Sequence, residues 1–119
     1  MMPTVPRRLS RPEVESKVLR YICDSTANRE TRKELMEMLL GYTWLDADNE
    51  ILYESICILF DVDPQRILFH LPSLLTRRGF PDISCKPLAG PSLLSSMAAI
   101  CLAGDLLRLA RRDAPENSA

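Results

Sequence analysis

The sequence predicts a single all-α domain, a compact bundle of five or six helices. Apolar residues recur at helical spacing in segment after segment, cap residues stand ahead of those segments, and no two-residue hairpin signal or internal repeat interrupts them. Aromatic residues make up only 6% of the chain while hydrophobic ones make up 46%, which suits helices packed by aliphatic side chains. A length of 119 residues allows one core.

Residues 1–9 carry two prolines and the Arg7-Arg8 pair without any apolar period, and read as a flexible arm. Ser10 and Glu13 then form a capping-box spacing, and Val14, Val18, Tyr21 and Ile22 share one helical face, so a first helix is expected over 11–23. After the turn residues Asp24 to Asn28, Thr31, Leu35, Met38 and Leu39 keep helical spacing up to Gly41, predicting a second helix over 29–40. A third starts near Asp46 or Asp48 and turns Leu52, Ile56, Leu59 and Phe60 inward, its early acids matching the positive end of the helix dipole.

Asp63-Pro64 has the form of a capped start with proline at the first helical position. Pro72 then predicts a break, giving a short helix to about 70 and another turn over 73–78. Residues 80–90 have no period and form a connecting loop. The last helix is expected from Pro91 or Ser92 to Arg112, and residues 113–119 form a flexible tail, leaving 10–112 as the domain.

Composition excludes more chemistry than it suggests. Fifteen basic against 16 acidic residues argue against a general polyanion binder. Cys23, Cys57, Cys85 and Cys101 are spaced too widely for a zinc site, and three of them fall within helical patterns, where a thiol behaves as a small buried hydrophobe. The first twelve residues show no apolar signal segment, and the apolar run from Pro91 to Gly104 is too short for a bilayer span, so no membrane role and a cytoplasmic setting are expected.

No phosphate-cradling glycine motif exists, and the single histidine, His70, has no catalytic partner by spacing. Asp46 with Asp48, and Asp61 with Asp63, bracket helix starts, where capping explains them. The prediction is no enzyme and no cofactor.

The chain's one tryptophan lies in the stretch from Tyr42 to Ile56, an aromatic followed by an acidic turn and a helix bearing an aromatic-Glu pair. This segment resembles one shared by the N-terminal helical domain of replicative helicases and the helicase-binding C-terminal domain of bacterial primases. Their pattern is roughly Phe-x-Asp-Pro-x-His-x-x-Ile-Phe-Glu-Ala-Ile, and Trp44, Asp46, Leu52, Tyr53, Glu54 and Ile56 fall on matching positions. Ala47 replaces the proline and Asn49 the histidine. The resemblance implies a non-catalytic interaction module with a replicative helicase or primase as partner.

Tyr42, Trp44, Glu50, Tyr53 and Glu54 are thus the candidate partner-binding residues, on a groove bounded by the acidic run from Asp46 to Asp63, with Tyr42 and Tyr53 at its margin. Arg77, Arg78, Arg111 and Arg112 are the candidate nucleic-acid contacts of an alternative reading, although their position at helix ends equally matches the helix dipole. In a third reading the last helix, Pro91 to Arg112, is apolar nearly all round, and its small residues Ser95, Ala99 and Ala103 make it a centre or a homo-oligomer interface.

Overall fold

The computed structural model describes residues 9–113. Five α-helices, α1 (Arg11–Cys23), α2 (Arg29–Met38), α3 (Ala47–Val62), α4 (Ile67–Arg77) and α5 (Ser96–Asp113), are joined by turns and one 3-10 turn (Lys86–Leu88). The expected arm over 1–9 and tail over 113–119 lie outside the described residues except for Leu9 and Asp113, and Asp113 closes α5 rather than opening a tail.

α1 is the hub. Its capping box is formed, with the Ser10 hydroxyl accepting from the Glu13 amide and Glu13 accepting from the Ser10 amide. Val14, Val18, Leu19, Tyr21 and Ile22 are all buried, and α2, α3, α5 and the 3-10 turn each pack against this helix. α2 begins where Asn28 accepts from the Thr31 amide at 3.0 Å, and ends two residues before the expected position. Leu39 and Leu40 instead form a turn closed by Tyr42 N–H donating to the Leu39 carbonyl, with Gly41 at φ 77°.

Asp46 caps α3 as its acidic start predicts, accepting from the Asn49 amide at 3.0 Å. The Asp63-Pro64 helix start is not formed. The Asp63 amide is spent as the last donor of α3, to the Leu59 carbonyl, and its carboxylate turns to His70, so α4 begins at Ile67 after Arg66. Nor does Pro72 break the chain: α4 runs through it, because Ile67, Leu71 and Leu75 form one fully buried stripe whose packing holds the helix on both sides of the ring.

α5 starts at Ser96, later than predicted: Ser95 caps it, accepting from the Ala98 amide at 3.1 Å, and the backbone before it is bound to α1 instead of coiling. Arg20 donates to the carbonyls of Gly90 and Pro91, and the Ser92 amide donates to Asp24. Gly90 permits this approach: its φ is 84°, and an added Cβ would stand 3.0 Å from the Arg20 guanidinium. Within α5, Ala99, Ala103 and Leu106 are buried against α1 and α2, so two of the three small residues serve the core, while Ser95 is exposed at the helix start. The outer side is not closed; Met97 and Cys101 are exposed along it, and Leu93 is exposed in the strap before it.

Only Cys23 behaves as the buried hydrophobe expected of the helical cysteines, and burial pushes its thiol up to about 12. Cys57 and Cys85 are half-buried, and Cys101 lies on the surface of α5. Among the described residues no helix is long and apolar enough to cross a membrane.

Candidate protein-docking site

α2 and α3 both lean on α1, and where they face each other the contact is made by side chains. The Tyr53 hydroxyl donates to the Met36 carbonyl at 2.7 Å, and the Arg32 guanidinium lies 5.2 Å from the centre of the Phe60 ring. Since Tyr53 meets Met36 while Phe60 meets Arg32, the helices run antiparallel. The space left between them is a groove of about 600 Å³.

Met36, Leu40, Tyr53, Cys57 and Phe60 give the groove its apolar lining, and Arg29, Glu30, Lys33, Glu37 and Asp61 stand around it. Among the described residues none of these five charges forms an ion pair with another side chain. A second cleft, of about 710 Å³ between α1 and α5, is different: Arg11 pairs with Asp113 across it, and Arg108 pairs with Asp105. Four of its charges are paired, leaving exposed Arg112, whereas all five of the α2–α3 groove face solvent.

The predicted partner-binding residues divide. Tyr42, Trp44 and Tyr53 form a three-ring stack, Trp44 lying 4.9 Å from Tyr42 edge-on and 5.0 Å from Tyr53. Only Tyr53 reaches the groove. Tyr42 is buried, donating to Glu15 at 2.6 Å and accepting from Arg11 at 2.8 Å, and burial together with the Glu15 bond holds its phenol protonated well above the ordinary range. Trp44 is half-buried, Glu50 is exposed on the first turn of α3, and exposed Glu54 stands 3.8 Å from Arg78.

Tyr53 is itself 7% exposed, so it is as much a pin between α2 and α3 as a groove wall. Burial, then its bond with the Cys57 thiol, pushes its phenol up as well.

No family model, curated protein or solved structure matches this chain. The arginines proposed for nucleic acid are not alike: Arg77, Arg111 and Arg112 are exposed, while Arg78 turns inward, donating to the Ser55 hydroxyl at 2.6 Å and lying 5.8 Å from the Phe80 ring centre. His70, given no partner by spacing, meets Asp63 at 3.2 Å and so ties α4 to the end of α3.

Two buried charges escaped the sequence reading. Glu15, fully buried, accepts from the Tyr42 hydroxyl, the Leu45 and Asp46 amides and the Asn49 side-chain amide, and so fixes the segment that carries Trp44 into α3. Arg32, also fully buried, donates to the Ile22 and Pro64 carbonyls; burial pulls its guanidinium down from its ordinary range, and its Nη1 has no partner among the described residues. Met36, Leu40, Cys57 and Phe60 were not foreseen as groove residues either. The signal existed: Arg29, Lys33, Met36 and Leu40 recur at three- and four-residue spacing beside the buried Leu35–Leu39 stripe.

Proposed function

We propose that this chain is a non-enzymatic helical docking module that receives a partner protein in the groove between α2 and α3. The observation that carries the reading is an apolar, partly aromatic floor ringed by exposed charges that, among the described residues, form no ion pair with another side chain. The segment from Tyr42 to Ile56, which resembles the helicase and primase modules, contributes Tyr53 to that floor. A replicative helicase or primase is accordingly the first partner to try. Its free thiols suit a reducing compartment such as the cytoplasm.

Leu40 is the groove residue that separates binding from folding, being 69% exposed, whereas loss of Tyr53 would disturb the core. Leu40→Asp should weaken association with the helicase or primase by at least about tenfold, or about 1.4 kcal/mol, and leave the melting curve unchanged. Leu93→Asp, at an exposed position remote in sequence from the groove, serves as control. Absence of binding by both candidates removes the replication reading; equal loss with both substitutions removes the groove.

A second reading, self-association through α5, rests on exposed Met97 and Cys101, four residues apart on that helix. Sedimentation that shows a stable oligomer, dissociated by Met97→Asp, would favour it. Nucleic-acid contact through Arg77, Arg111 and Arg112 has less support, since Arg78 is engaged within the fold.

A further inference from the structure

Resting on the docking reading, we infer that the groove's occupant is an amphipathic helix of about three turns whose apolar stripe is flanked by lysine or arginine on the side that meets α3. Length comes first. The groove follows the ten residues of α2, about 15 Å at 1.5 Å per residue, and continues to Leu40 in the turn beyond, which matches about three turns of a bound helix. Its floor has helical texture: Met36 and Leu40 are four apart on one wall, and Tyr53, Cys57 and Phe60 are four and three apart on the other. Ridges so spaced accept apolar side chains presented at i, i+4 and i+7.

Charge then orients the guest. On the groove face of α3, Asp61 lies in line with Cys57 and Tyr53, and exposed Glu50 continues that face one turn earlier. From Asp46 to Asp63 the chain contains acids and no base. On α2 the bases Arg29 and Lys33 occupy only the N-terminal half, and the far end carries Glu37 beside Leu40. Thus the α3 side carries Asp61 at one end of the groove and Glu50 just beyond the other, where Glu37 of α2 faces it, and no base between them. An acidic helix would meet like charge at both ends of the α3 side, while a basic flank meets opposite charge there.

The test uses the intact chain and three synthetic peptides of about fourteen residues, each lacking Trp and carrying the same leucine stripe, flanked by Lys, Gln or Glu. Trp44, the chain's one tryptophan, stacks on Tyr53 of the groove floor and reports occupancy by its fluorescence. The Lys-flanked peptide should bind at least about tenfold tighter than the Glu-flanked one at low salt, with the advantage shrinking as salt rises. Glu50→Lys combined with Asp61→Lys, both at exposed positions, should invert that order without changing the helical circular dichroism. Equal affinity for the three peptides overturns the charge inference and leaves docking standing. Failure of every peptide to bind, or binding indifferent to Leu40→Asp, overturns both. Sedimentation of the free chain as an oligomer that Leu40→Asp dissociates would make the occupant a second copy and overturn the inference.

Discussion

Asp24 shows how much one side chain holds at the end of α1. Its Oδ1 accepts from the Thr26 amide and hydroxyl, and its Oδ2 from the Ser92 amide at 2.9 Å. Burial alone would raise its pKa, but these bonds and the nearby Arg32 charge outweigh burial and hold the carboxyl below its usual range. A depressed folded-state pKa means that the stabilisation is complete above the unfolded value, near 4, and fades as pH falls through the lower folded value. Asp24→Asn should therefore destabilise the protein by about 1 to 3 kcal/mol at neutral pH. Urea unfolding repeated in acid should find the gap between variant and parent narrowed; a gap constant with pH would contradict this account. Asp24 was legible in the sequence as a turn residue, but Ser92 was not legible as its partner, because a contact spanning 68 positions leaves no local pattern. Glu15 and Arg32 were hidden for a related reason: along α1 and α2 they read as ordinary solvated helix charges, and only tertiary packing makes them the interior.

Among the helices, the first three starts were read from their side-chain caps, whereas the Asp63-Pro64 cap did not form and α5 starts later than expected. Ser10, Asn28 and Asp46 each accept the amide three residues on, and α1, α2 and α3 start where those residues predict. Where the rule was a backbone preference, packing overrode it. Pro72 lacks the N–H that would reach the Leu68 carbonyl, yet the Ile67, Leu71 and Leu75 stripe keeps α4 whole. The proline is exposed, so its ring is not needed in the core. Pro72→Ala should restore the missing bond and raise stability by about 1 to 3 kcal/mol, seen as a higher melting temperature. An unchanged or lowered melting temperature would mean that the ring contributes packing or that the unfolded chain benefits equally. The start of α5 is capped in the same way, Ser95 accepting from the Ala98 amide at 3.1 Å, but Pro91 and Ser92 offered an earlier start that Arg20 and Asp24 prevent by holding the preceding strap.

For the molecule as a whole, the all-α class was legible from periodicity, but the groove between α2 and α3 was not. It exists because α2 and α3 each pack on α1 and face one another only through side chains, a relation between three helices that no single segment encodes. Tyr53 was found because it lies on the acidic helix; Leu40 was missed because it reads as the end of a buried stripe. The same central helix governs the turn ahead of α3. Leu45 and Asp46 lie outside every helix, and their amides are held by Glu15 of α1, at 2.8 and 3.2 Å. Those two hydrogens can leave for solvent only when the carboxylate withdraws, and a fully buried carboxylate withdraws only when α1 separates from its neighbours. In heavy water, then, amide exchange at Leu45 and Asp46 should be as slow as in the middle of α1 and slower than at Thr43, an isotope pattern that assigns a stretch of loop to the most protected cooperative unit of the protein.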